Sequence, residues 1–127
     1  MSLWKMWLSL PVIGLIALSG CGQEQEAPKL SYEKDIKPII DANCLSCHVS
    51  GEQGAEKSGL LLDSYAGLMK GTKLGPIVVP GSPESSTLYL LVSGKADPSI
   101  RMPHGKDPLP KAQVEKIREW IQQGAPE

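Results

Sequence analysis

Cys44-Leu45-Ser46-Cys47-His48 is the stretch from which the fold of this 127-residue chain is read. C-x-x-C-H puts two thiols and an imidazole within one turn of backbone, which is the spacing of a c-type haem attachment site. Both sulfurs sit on one side of the turn, where they can add to the two vinyl groups of the porphyrin, and the adjacent imidazole reaches the iron. The competing reading is a disulfide or metal-binding CxxC that happens to precede histidine.

Upstream of the motif, residues 1–20 read as a leader. Lys5 with Trp4 and Trp7 forms a short n-region, and Leu8 to Leu18 is apolar apart from Ser9, interrupted by Pro11 and Gly14. The run is short for a membrane span and reads as an export signal. It ends in Leu18-Ser19-Gly20-Cys21, which resembles the bacterial lipoprotein cleavage box, so Cys21 is expected to become the acylated N-terminus. The three cysteines then divide without remainder: Cys21 for lipid, Cys44 and Cys47 for haem thioethers. An exported protein meets an oxidising compartment, where a stray thiol would be a liability.

Composition points the same way. The chain has no Phe, and beyond the leader its aromatics are Trp120, Tyr32, Tyr65 and Tyr89. Large rings normally dominate a small core, and a haem macrocycle would supply the missing apolar area. Charge is nearly balanced, with 13 Lys and Arg against 14 Asp and Glu, which makes nucleic acid an unfavourable partner. A mildly acidic surface is compatible with a basic redox partner.

Residues 21–30 are polar, lack apolar periodicity and read as a tether; the folded domain is expected over 31–127. Ser31 is a candidate cap for a first helix with Tyr32, Ile36, Ile39 and Ile40 on its inner face, and Pro38 predicts a kink or a restart of that helix. Val49 to Gly59 reads as a surface loop, and Leu60-Leu61-Leu62 as a strand-like segment closing over the cofactor. A short helix capped by Asp63 turns Leu68 and Met69 inward and stops at Gly71. Gly75 to Gly81 is extended by its prolines and β-branched residues. Ser82-Pro83-Glu84 opens a helix to about Gly94 with Leu88, Leu91 and Val92 inward. Lys95 to Leu109 is a loop containing Met102. Pro110 to Gln123 is the last helix, with Val114, Ile117, Trp120 and Ile121 on one stripe. The expected fold is all-α: three to four short helices packed around one covalently bound haem.

Electron shuttling requires a sixth iron ligand, and Met/His ligation raises the reduction potential. Met1 and Met6 belong to the leader. Of the other two methionines, Met69 lies on a helix as ordinary core filler, whereas Met102 sits in a loop between Arg101 and Pro103; Met102 is the expected ligand, with His104 as a bis-histidine alternative.

The chain also resembles a known group: the single-haem class I cytochromes c, and more closely the planctomycete-type cytochrome c domain. The likeness runs through Asp35-Ile36-Lys37-Pro38-Ile39, Cys44 to His48, Gly59-Leu60, Val79-Pro80-Gly81-Ser82-Pro83-Glu84-Ser85, Arg101-Met102-Pro103, Ile117-Arg118-Glu119-Trp120-Ile121 and Gln123-Gly124-Ala125-Pro126, spanning residues 31 to 126. The resemblance implies thioethers at Cys44 and Cys47, axial iron ligands His48 and Met102, and contact between the first and last helices. It also suggests a backbone carbonyl, for instance that of Gly75-Pro76, as partner of the second His48 ring nitrogen, and Arg101 or Lys73 near a propionate. The departures are Pro110 in place of a capping Ser or Thr, and His104 where a proline would be ordinary.

The expected function is a membrane-tethered electron carrier, not an enzyme, exported and lipid-anchored to a bacterial membrane, facing the periplasm or the cell exterior, and exchanging single electrons with redox proteins. The alternatives are a haem peroxidase or diatomic-gas sensor with a weak or absent distal ligand, and a haem-free lipoprotein using Cys44, Cys47, His48 and His104 for zinc. Adjacency of Cys47 and His48 fits zinc spacing poorly.

Overall fold

The computed structural model describes residues 27–127; Cys21 and the expected leader lie outside them. Among the described residues the chain is helical, with no strand and a single isolated bridge between Thr72 and Gly75. The expectation of an all-α domain is met, with five α-helices among the described residues where three to four were expected.

Pro38 shapes the first helix as its chemistry requires. It has no N–H for the carbonyl of Lys34, and the backbone widens ahead of it into a π-turn over Tyr32–Ile36, closed by the Lys37 N–H donating to the Tyr32 carbonyl. Regular helix α1, Lys37–Asn43, restarts with the proline in its first turn. Tyr32, Ile36, Ile39 and Ile40 are all buried. Ser31 makes no hydroxyl cap. Instead Asp35 closes the turn from inside, accepting the Ser31 N–H at its carboxylate and donating its own N–H to the Ser31 carbonyl, both at 3.0 Å.

The last helix, which is α5 in chain order and runs over Lys111–Gln122, buries Ile117, Trp120 and Ile121 against this first segment, and Lys116 pairs with Asp35 at 3.6 Å. Rings cluster at the contact: the Tyr32 centroid is 5.4 Å from Tyr65 and 6.3 Å from Trp120. The chain end folds over the rings. The Pro126 carbonyl accepts the Trp120 indole N–H at 2.7 Å and the Tyr32 N–H at 3.1 Å, while the Tyr65 hydroxyl donates to the Ala125 carbonyl at 2.8 Å. Leu30, assigned to the tether by polarity alone, is buried; its N–H donates to the Gln123 side chain, whose amide donates to the Pro28 carbonyl.

Between these ends the chain runs through α2 (Gln53–Ser58), α3 (Tyr65–Lys70) and α4 (Thr87–Val92). Helix α2 corrects the expectation of a loop from Val49 to Gly59. It is short, polar and buries only Ala55, so it carries no periodic signal, and Gly59 ends it in the left-handed region at φ +76°. Helix α3 is capped by Ser64 instead of Asp63: the Ser64 hydroxyl accepts the Gly67 N–H at 3.1 Å. The helix expected from Ser82 breaks in two. A 3₁₀ turn at Pro83–Ser85 ends at buried Ser86, whose hydroxyl donates to the Ser82 carbonyl and accepts the Val79 N–H, both at 2.9 Å, and α4 follows. The break rotates α4, burying Leu88, Tyr89 and Val92 and leaving Leu91 half-buried. Leu60 and Leu62 are buried in an extended segment, with Leu61 turned outward.

Candidate functional site

The motif occupies the turn that leaves α1. The Cys44 N–H donates to Ile40 and prolongs the helix, and the Cys47 and His48 N–H groups both donate to the Cys44 carbonyl at 3.2 Å. Cys44, Cys47 and His48 are thus held on one turn. Both cysteines are free thiols, Cys47 exposed and Cys44 half-buried against the core beside Leu45. Burial pushes the Cys44 thiol up to about 11; the Lys106 ammonium opposes this and Cys47 adds to it.

Backbone contacts fasten the turn from outside. The Cys47 carbonyl accepts the Ala55 N–H of α2 at 3.0 Å, and the His48 carbonyl accepts the Leu62 N–H at 2.8 Å. The imidazole itself is less fully engaged: Nδ1 is buried with no hydrogen-bond partner. The Gly75 carbonyl does not serve it, because the Thr72 N–H at 2.9 Å and the Thr72 hydroxyl at 3.3 Å already use that oxygen. Lys73 is likewise committed, its ammonium donating to the carbonyls of Glu56 and Lys57 at the end of α2.

Met102 sits on the loop between α4 and α5. Its N–H donates to the Leu91 carbonyl at 3.1 Å, and its side chain packs half-buried against the hydrophobic core, as do Cys44, Leu45, Tyr65 and Met69. Four residues on, the Lys106 ammonium contacts the Ser46 hydroxyl at 3.3 Å, so the Met102 loop folds back onto the middle of C-x-x-C-H. Arg101 and His104 are exposed. Burial therefore separates Met102 from His104, although it does not separate Met102 from Met69.

Residues 44–105 match the family model described as Planctomycete cytochrome C. Over this segment the chain is similar to that family. The matched span opens on Cys44 and takes in Met102, while the flanking helices α1 and α5, which also entered the sequence resemblance, lie outside it. Neither the curated proteins nor the solved structures contain a match to the chain.

Sequence reasoning missed two features of this domain. One is α2, which covers the motif. The other is a cleft of about 380 Å³ between α4, the Met102 loop and the start of α5, lined among others by Tyr89, Val92, Arg101, Leu109 and Lys111. Its lining comes from three separate segments and leaves no local pattern, and it includes neither the motif nor Met102.

Proposed function

We propose that the chain is a monohaem c-type cytochrome that carries single electrons between redox proteins. The observation that carries this reading is the family match, which begins at the first cysteine of C-x-x-C-H and extends past the Met102 loop. The residues present fit a haem. Two free thiols lie four positions or fewer from an imidazole on one turn, and of the two ring nitrogens only Nδ1 is enclosed without a partner, leaving Nε2 for a metal. A half-buried thioether approaches on the loop that touches Ser46.

Cys44 and Cys47 would hold the haem through thioethers, His48 would be the proximal ligand and Met102 the distal one. Haem c supplies a one-electron ferric/ferrous couple, which thioether ligation shifts toward the ferrous side. The protein's part would be to hold the His48 and Met102 side chains in place in both states. Backbone hydrogen bonds from Ala55 and Leu62 would do this for His48, and the Met102 N–H to Leu91 would do it for Met102. Exposed His104 lacks the core packing that holds Met102. An exposed Cys47 leaves the attachment edge near solvent, where a partner can approach for electron exchange.

The reading includes a lipid anchor at Cys21, export to the outer side of a bacterial membrane and confinement near membrane redox complexes. Two measurements test the whole. Intact mass of protein made with the haem-attachment machinery is expected to show one haem, and a potentiometric titration followed optically is expected to show a single one-electron step with a sulfur-to-iron band in the ferric state. Unmodified thiols holding zinc would overturn the assignment. Cys21→Ser is expected to move the protein from the membrane to the soluble fraction; unchanged membrane retention removes the anchor.

A further inference from the structure

Glycine is a poor helix former, yet Gly54 stands within the six-residue helix α2. Its surroundings explain it. A Cβ built at Gly54 would meet the Cys47 carbonyl oxygen at 2.5 Å, its carbon at 3.1 Å and the His48 Cε1 atom at 3.1 Å. The first of these is closer than real Cβ contacts come, and backbone cannot yield as the end of a flexible side chain can. Helix α2 therefore lies against the motif at a distance that only glycine permits, with the imidazole edge facing the Gly54 Cα.

The helix is anchored so that it cannot simply move off. Next to Gly54, the Ala55 N–H donates to the Cys47 carbonyl at 3.0 Å. At the other end the Lys73 N–H donates to the Ser58 carbonyl at 2.8 Å, and the Lys73 ammonium donates to the Glu56 carbonyl at 2.7 Å. Gly59, where α2 stops, leaves only 2.7 Å between its built Cβ and the Lys73 side chain, so this end is closely packed too. His48 Nδ1, by contrast, has no hydrogen bond to set the ring plane. The close approach of α2 is what bounds the imidazole on its Cε1 side.

From this we infer that α2 is a buttress for His48, with Gly54 as the positioning residue that sets the ring plane and Lys73 as the residue that holds the buttress in place. The inference rests on the proposed haem ligation by His48, and it assigns to α2 a part in tuning the iron. A hydrogen-bonded histidine would keep its plane when a neighbour is altered; one held by contact turns when the contact changes.

The test uses the full-length, haem-loaded protein and three variants: Gly54→Ala, Lys73→Ala, and Gln53→Ala as a control on an exposed position of the same helix. The readouts are the hyperfine-shifted His48 ring resonances of the ferric protein, its g-values and its reduction potential. Gly54→Ala is expected to shift all three although alanine is the better helix former, Lys73→Ala to shift the ring resonances in the same sense but less, and Gln53→Ala to leave them unchanged. If Gly54→Ala does not fold, Lys73→Ala decides the matter on the same signals. Loaded protein in which neither variant moves the ring resonances, or in which Gln53→Ala moves them equally, overturns the buttress and leaves haem ligation standing. A wild-type chain that carries no haem by intact mass overturns the ligation itself, and the buttress with it.

Discussion

The two ends of the domain are built on different principles. At the aromatic end, Tyr32, Trp120 and Ala125 are fully buried, and carbonyls of the last residues accept hydrogen bonds from the indole and from Tyr65. At the motif end, Cys44, Leu45, His48 and Met102 are all only half-buried, and what holds them is backbone: Ala55 to Cys47, Leu62 to His48, Met102 to Leu91. Each end has one enclosed polar atom without a partner, the Tyr32 hydroxyl and His48 Nδ1. The first lies among rings that pack whether or not anything is bound. The second lies beside two free thiols in a region where side chains are positioned but not covered. The aromatic end makes the fold, and the motif end presents two free thiols and an imidazole on it.

Breaking the aromatic end should have the largest effect. Trp120→Ala removes a fully buried indole and its hydrogen bond to Pro126, and is expected to cost about 3–5 kcal/mol, read from denaturant unfolding. A loss near zero would mean that the rings do not found the domain. At the motif end the decisive variable is pH. In a chain made without haem, the folded Cys44 thiol sits at about 11 against an ordinary value of 9.0, so between those values the unfolded state gives up its proton first. Fewer protons are then bound in the unfolded state than in the folded one, and stability falls as pH rises through this window, by about 2–3 kcal/mol in all. Unfolding midpoints measured from pH 8 to pH 12 should show the fall in the haem-free chain and lose this contribution in Cys44→Ala. If haem is attached as proposed, the sulfur would be a thioether that cannot titrate, and the same contribution should be absent from the haem-loaded protein too. An equal alkaline loss in Cys44→Ala would separate the effect from this thiol.

How much of this was legible in the sequence follows from where the information sits. The apolar stripes of the first and last helices are periodic and long enough to read, and Pro38 announced its own irregularity. C-x-x-C-H, being five consecutive residues, was legible as chemistry. Helix α2 was not, because six polar residues burying one alanine have no stripe; what makes it a helix is the Ala55 bond to Cys47 and the clamp by Lys73, both invisible in one dimension. The break at Ser86 was hidden for a related reason. A serine after Pro-Glu-Ser looks like the middle of a helix that Ser82 opens, and only the folded chain brings the Val79 N–H to its hydroxyl. Leu30 read as tether because its neighbours are polar, and only the Gln123 amide draws it in.

Ser86 and Ser64 sharpen the contrast at smaller scale, since each hydroxyl replaces a backbone partner at the start of a helix. Ser86→Ala strips a fully buried site of the acceptor for the Val79 N–H and is expected to cost about 1–3 kcal/mol, because that N–H loses its partner. Ser64→Ala removes a cap on an exposed turn and should cost about 1 kcal/mol. Asp63→Ala is the informative companion. Sequence alone favours Asp63 as the cap, but its carboxylate contacts only the Ser64 hydroxyl, at 3.4 Å, while the Ser64 oxygen takes the Gly67 N–H. The aspartate variant is therefore expected to cost less than the serine variant in parallel thermal melts. If the order is reversed, the helix starts one residue earlier than its hydrogen bonds indicate, with Asp63 as its cap.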